Sequence, residues 1–275
     1  YGSPVRAFPY RLVTGYHRLK STCKTTYQSS DSIVEKSVFA YDTERPYNII
    51  SKSSLCSGGA EQVERTYYSN NTIPDKESLT SAIQLLTSRN YLTTPVQQTM
   101  EKKDKRLYSV LRGYSSSLSS GMVVEDQYYC KGTDKYEKRI SYNKYDIYGN
   151  PVYINKDGAE KVVYLWGYKG QYLLAEIKGA TYEEVKKALM VDPASMSSCI
   201  LPSMPLYLNM IDNLYKALPS ALITSYTYHP LIGASGIISP NKAKTTFEYN
   251  SDSQLIRIKD TEGKTMEEYQ YHFRP

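Results

Sequence analysis

Apolar and polar residues tend to alternate with a period of two in many short runs of the chain. Residues 18–28, 33–41, 91–100, 105–114, 122–130 and 135–145 are rich in Thr, Val and Tyr and are separated by polar turns. This is the pattern of half-buried strands. Helical spacing interrupts it in three places. In 74–90, Leu79, Ile83 and Leu86 fall on one helical face. Thr181 and Glu184 stand as a capping box, with Val185, Ala188 and Leu189 following at helical spacing. Over 205–217, Leu206, Met210 and Leu214 make a stripe that Pro219 stops. The pattern predicts a mainly β protein: a long curved antiparallel sheet of roughly 12 to 16 strands with two or three helices packed on one face. It divides into residues 1–145, diverged hairpins with a helical insertion at about 74–90, and 145–275, clearer repeats with an insertion at about 178–220.

The second part repeats. Counting from Tyr145, Gly149 lies at +4, Ile154 at +9, Asp157 and Gly158 at +12 and +13, Tyr164 at +19 and Trp166 at +21. Counting from Tyr228, Ile237 is at +9, Phe247 at +19 and Tyr249 at +21. Tyr249 opens a third unit with Ile258 at +9; one extra turn residue then places Gly263 at +14, Tyr269 at +20 and Tyr271 at +22. The aromatic that closes one unit opens the next. Each unit reads as a hairpin. A strand ends at Tyr-Asp or Tyr-Asn, and the Asx side chain starts a turn by bonding a backbone N–H two residues on. Asp146 is therefore expected in a turn rather than in catalysis. Gly149, Gly158 and Gly263 serve turns. Equal phase predicts that Tyr145, Tyr164, Trp166, Tyr228, Phe247, Tyr249 and Tyr271 stack across neighbouring strands, on the face where the helices dock.

"YDIYGNPVYINKDG", followed by a strand carrying Tyr164, Trp166 and Tyr168, resembles the YD repeats of the RHS/YD-repeat family, and "YNSDSQLIRIKDTEG" is a more degenerate copy. Asn150-Pro151 and Gln254-Leu255 stand where that pattern has Arg-Leu, and Ser253 replaces its first glycine in the second copy. The resemblance covers about 95 residues directly. It implies part of a hollow β-shell. It also implies a non-enzymatic scaffold in an exported or cell-surface bacterial protein, whose partner is the upstream part of the same polypeptide or an associated cargo. The aspartyl self-cleavage segment of toxin-type members has no match here, so a toxin-less C-terminal part is expected.

Tyrosine changes the picture further: there are 29, against 4 Phe and 1 Trp. An apolar ring with a polar tip suits a sheet with one wet face, and such rows suggest adhesion or glycan binding as the alternative function. The net charge of +6 is spread along the chain without a block of like charges, which argues against a nucleic-acid partner. No run of about 18 apolar residues exists, so no membrane span is expected. The chain starts inside a strand-like run, as a fragment of a longer protein would.

Candidate chemistry is sparse. Cys23, Cys56, Cys130 and Cys199 are far apart, and His17, His229 and His272 have no neighbour at metal-ligand spacing. The pairs Glu183/Glu184 and Glu267/Glu268 sit on polar faces, and "EKKDKR" at 101–106 reads as a hairpin tip that could meet an anionic surface. No metal, no cofactor and no enzymatic activity are expected.

Overall fold

The computed structural model describes residues 15, 17–28, 31–55, 59–75, 79–118, 121–198 and 204–272. The strands run β1 (Ser21–Gln28), β2 (Asp31–Tyr41), β3 (Ile49–Leu55), β4 (Glu61–Tyr68), β5 (Pro95–Lys102), β6 (Lys105–Leu118), β7 (Gly121–Lys131) and β8 (Glu137–Tyr145). They continue as β9 (Pro151–Lys156), β10 (Glu160–Gly167), β11 (Tyr172–Lys178), β12 (Leu222–His229), β13 (Gly233–Ile238), β14 (Lys244–Tyr249), β15 (Leu255–Lys259) and β16 (Thr265–Glu268). All 16 form one antiparallel sheet whose spatial order is the chain order, open at β1 and β16. The ladder passes residue 145 without a break, with Tyr145 opposite Pro151. Odd strands turn into even strands at one rim, and even into odd at the other.

Local chemistry explains the tight turns. Lys103 and Asp104 join β5 to β6 with φ of 51° and 57°, and Asp157 and Gly158 join β9 to β10 with φ of 49° and 72°. Two successive left-handed residues match the twist of the flanking strands.

Among the described residues three α-helices interrupt the ladder: α1 (Thr80–Ser88), between β4 and β5, and α2 (Tyr182–Leu189) and α3 (Met204–Ala217), both between β11 and β12. A 3-10 helix, Pro193–Ser198, follows α2. Leu86 of α1 packs with Val96 and Leu111. Val185 of α2 and Ile211 and Leu214 of α3 pack with Val163, Leu165, Ala175, Ile177 and Ile223. Register places both clusters on one face. Leu111 stands opposite Tyr128, two residues from Asp126, and Asp126 leads through Ser141 and Asn155 to Lys161, two residues before Val163. Alternation keeps residues two apart on the same side.

The structure corrects several boundaries. The helix expected over 74–90 is Thr80–Ser88, because Pro74 and Asp75 form a turn and Asp75 is held by groups of the sheet. The strand expected from residue 91 starts at Pro95. Strands β3 and β4 were not legible in the pattern: "IISKSSL" and "EQVERTYY" carry too much Ser and charge to alternate cleanly. The helices do not dock on the aromatic face. They cover Val163 and Leu165, which puts Tyr164 and Trp166 on the opposite side. Register decides this: Val163 and Leu165 alternate with Tyr164 and Trp166 along β10, and with Ile177 and Ala175 opposite them they form the surface that Val185, Ile211 and Leu214 meet. The side chain of Leu206 lies outside the described residues.

Candidate functional site

The feature that repeats through the whole molecule is a clamp at the rim where even strands end. Near the end of each even strand, or three residues past it for β16, an aromatic donates its O–H or N–H to a carbonyl at or close to the start of the preceding odd strand. Tyr41 reaches Leu19 at 2.9 Å, Tyr68 reaches Ile49 at 3.0 Å and Tyr114 reaches Pro95 at 2.7 Å. Tyr145 reaches Val124, and the Trp166 Nε1 reaches Pro151 at 2.8 Å. Tyr228 reaches Leu173 at 2.9 Å, and Tyr249 and Tyr271 reach Ala234 and Leu255, both at 2.8 Å. All eight hairpins of the sheet carry one.

The clamps form a continuous chain. Tyr41 lies opposite Ile49, whose carbonyl Tyr68 takes; Tyr68 lies opposite Pro95, whose carbonyl Tyr114 takes. The same relation runs through Tyr114 and Val124, Tyr145 and Pro151, Trp166 and Leu173, Tyr228 and Ala234, and Tyr249 and Leu255. At each of these seven pairings the register slips by one, leaving an extra residue in the odd strand: Ile50, Val96, Glu125, Val152, Leu174, Ser235 and Ile256. A bulge bends its strand and re-aims side chains. Here it stands at the clamp aromatic each time.

The residue after the clamp builds the turn. Asp146, 1% exposed, accepts at Oδ1 from the Tyr148 N–H (2.9 Å) and the Asn150 N–H (2.8 Å), and at Oδ2 from Asn150 Nδ2 (3.0 Å). Asn150 Nδ2 also donates to the Gly170 carbonyl of the next turn on that rim, at 2.8 Å. Asn250 repeats the geometry on the Asp252 and Gln254 N–H groups. Asp42 accepts from the Glu44 and Arg45 N–H groups and from Asn71 Nδ2. Those bonds, the Arg45 N–H first and the Asn71 amide next, hold the Asp42 carboxyl below the usual range. The Tyr-Asp dipeptide therefore does two jobs in sequence: the ring fastens the hairpin just built, and the carboxylate folds the turn to the next.

The other predicted positions are spread over the strands and both rims, with Gly149 on the clamp rim and Gly158 and Gly263 on the opposite one. Ile154 is buried in β9. Ile237 lies opposite Tyr226 and Thr245, and Ile258 opposite Phe247 and Glu267. Gly149, Gly158 and Gly263 take φ of 86°, 72° and 80° in turns. Burial, with Glu176 next, pushes the half-buried Tyr164 hydroxyl up to about 12. Tyr269 donates to Glu267. The expected aromatic stack does not form as such. Ring contacts join Tyr145 to Tyr142, Tyr228 to Tyr172 and Tyr249 to His229, not the seven rings to one another. Two clamp aromatics in successive even strands have an odd strand between them, and each ring is turned to a carbonyl of the strand it fastens.

Sequence reasoning missed Tyr41, Tyr68 and Tyr114. Tyr41-Asp42 carries the same dipeptide as Tyr145-Asp146 and was the available signal. Tyr114 runs into serines and carries none.

The densest polar cluster, also missed, lies under α1. Asp75 Oδ2 accepts from Gln97 Nε2 (2.7 Å), Arg106 Nη1 (2.8 Å) and the Tyr136 hydroxyl (2.8 Å), and Ser109 joins them through Gln97 and Tyr136. Burial by itself would raise the Asp75 carboxyl, but the bonds from Tyr136 and Gln97 and the Arg106 charge together hold it below its ordinary value. Burial pushes Tyr136 up to about 12. The carboxylate stays ionised and the phenol protonated at neutral pH, so the arrangement fastens α1 and its turn to β5, β6 and the loop after β7. Arg106, part of the basic stretch 101–106, is spent here. Cys130 is buried nearby and Cys23 is exposed on β1, both as free thiols; Cys56 and Cys199 lie outside the described residues. Among the described residues no group of three His, Cys, Asp or Glu side chains could hold a metal ion, and no helix is long and apolar enough to cross a membrane.

Fold and rim define a class: an open antiparallel ladder of hairpins in chain order, each fastened by an aromatic clamp. No family model and no curated protein matches the chain. Solved structures that are similar include TcdB2-TccC3-Cdc42 (10% identity, 86% of this chain and 11% of that one, TM-score 0.35). The Photorhabdus luminescens Tc holotoxin pore with a mutated TccC3 is similar at 12% identity over 82% of this chain and 12% of that one, TM-score 0.35. TcdB2–TccC3 without its hypervariable C-terminal region is similar at 10% identity over 88% and 11%, TM-score 0.36. This chain thus spans about a tenth of the chains it matches. Values this low assign neither a family nor a function.

Proposed function

We propose that this chain is a non-enzymatic wall module of an exported or cell-surface RHS/YD-repeat protein, a stretch of β-shell that encloses or presents another segment of the same polypeptide or an associated cargo. The observation that carries this reading is the unbroken chain of clamps: the repeated Tyr or Trp is used eight times for the same structural purpose. A shell wall needs such repetition, because every hairpin must fix the angle of the next. The electrostatics support it too. The Asp75 and Asp42 carboxyls lie below their ordinary values and the Tyr136 and Tyr164 hydroxyls are raised to about 12, the reverse of what acid–base catalysis near neutral pH requires. The clamp tyrosines spend their hydroxyl protons on backbone carbonyls, and all but Tyr271 are half-buried or buried, which leaves little ring face for stacking on a sugar.

The test is protease protection of the longer polypeptide that contains this chain. With the chain in place, an enclosed segment should resist digestion. With residues 21–272 deleted, the same segment should be cut. Equal digestion in both would remove the wall reading.

A further inference from the structure

We propose that three adjoining turns of the clamp rim form an apolar edge that inserts into the headgroup region of a lipid bilayer carrying anionic lipid. The turns are 146–150 after β8, 168–171 after β10 and 229–232 after β12. At their tips Ile147, Tyr148, Leu231 and Ile232 are 63%, 47%, 95% and 43% exposed. Turns of the opposite rim are polar instead, with Lys103-Asp104, Asp157-Gly158 and Asn241-Lys242 at their tips. The next turn of the clamp rim itself, 250–254, is polar throughout. Such an edge does not depend on the chain being a shell wall.

The three turns are tied to one another. Asn150 Nδ2 donates to the Gly170 carbonyl at 2.8 Å, and the Tyr148 ring lies against Gly170, where an added Cβ would meet its Cδ2 at 2.8 Å. The Leu231 N–H donates to the Tyr172 hydroxyl oxygen at 3.1 Å. The Tyr172 ring in turn contacts Tyr168 and Tyr228, with centroids 5.0 Å and 4.7 Å away. Leu231 takes φ of 68°, a left-handed conformation that glycine or asparagine adopts at lower cost. A branched apolar side chain is thus held out in water on strained backbone by a fixed support. Strain of this kind collects at functional positions.

Shape and charge choose the partner. A side chain 95% exposed projects rather than lining a groove, so a protein partner would need a matching cavity. A bilayer takes in projecting apolar side chains without one, and tyrosine is favoured at its interface. Asp146 is 1% exposed and spent on its turn. Lys169, exposed between the two apolar pairs, is then the formal charge that these tips present. A lysine beside inserted apolar groups is drawn to anionic headgroups.

The test is flotation of the 275-residue chain with vesicles of equimolar phosphatidylcholine and phosphatidylserine. The chain should float with them. Ile147→Ser combined with Leu231→Asn should lower partitioning roughly tenfold at an unchanged Tm, since both side chains are exposed. Lys169→Gln should lower it roughly fivefold, and Lys103→Gln on the opposite rim should leave it unchanged. No flotation of the native chain overturns the proposal, as does unchanged flotation in either the double variant or Lys169→Gln. Loss confined to Lys103→Gln would move the contact to the basic stretch 101–106 and overturns it too. Dimerisation that the double variant abolishes, without flotation, would give the edge to a second copy of this chain and likewise overturns it. Protease protection in the longer polypeptide is a separate readout, so the wall reading stands or falls on its own.

Discussion

A clamp residue contributes through two parts of one side chain. The ring covers apolar surface, and the polar tip satisfies a carbonyl at the strand start. Tyr→Phe isolates the second part. Tyr228→Phe and Tyr249→Phe should each lower unfolding free energy by about 1 kcal/mol, the net worth of an intramolecular hydrogen bond, read by urea denaturation. A neutral result at both would mean that the ring alone matters. Trp166→Ala removes ring and bond together. The ring is half-buried, so the loss should be roughly 2–3 kcal/mol, below the range for a fully buried aromatic. Asp146→Ala removes the acceptor of the Tyr148 and Asn150 N–H groups in a turn whose residues 147–149 are exposed, so water replaces part of the loss and the cost should be about 1 kcal/mol. On the same rim Gly170, at φ 74°, leaves no room for a Cβ, which would meet Asn150 Nδ2 at 2.7 Å and Tyr148 Cδ2 at 2.8 Å.

At the scale of elements, the helices are fastened by polar groups at their ends as well as by their apolar faces. Thr181 Oγ1 accepts from the Glu184 N–H, and the Glu184 carboxylate accepts from the Thr181 N–H, so both members of the capping box of α2 are in place. The motif was readable because its two residues are three apart in sequence. Thr181→Ala should destabilise by about 1 kcal/mol. The α1 latch depends on an ionised Asp75. Its folded pKa is depressed, so its contribution is complete above the ordinary carboxylate value and is lost as pH falls through the lower folded value. Asp75→Asn should therefore flatten the acid limb of a melting-temperature profile below about pH 4 and destabilise at neutral pH. A mutant profile parallel to the wild type would show that Asp75 does not carry this linkage.

For the whole molecule, chain order and sheet order coincide, so each hairpin touches chiefly its neighbours. Such quasi-one-dimensional architectures are held by nearest-neighbour interfaces. The middle of the sheet has the two buried clusters under the helices, while residues 21–27 of β1 and all of β16 are exposed. Hydrogen exchange should follow that gradient. Amides of β9 to β12 should exchange last, those of β1 and β16 first, with sub-global openings that release terminal hairpins. A single protection level across all strands would instead show all-or-none unfolding of the sheet.

The repeat from Tyr145 to Tyr271, the mainly β architecture and the capping box were written in the sequence by itself, because each rests on local periodicity: two residues along a strand, about 21 along a repeat, three across a helix cap. Tyr-Asp could be read as strand end and turn start for the same reason. What the aromatic does there could not be read. Its acceptor lies 15 to 55 residues away along the chain and is a backbone carbonyl, which leaves no side-chain signature. The strands β3 and β4 were hidden likewise, since their pairing with β2 and β5 overrides a weak pattern of their own. The helix-bearing face was settled by register carried across strands through the bulges. Asp75, Gln97, Arg106 and Tyr136 come from four separate segments, and only tertiary packing brings their charges and hydroxyls to one oxygen.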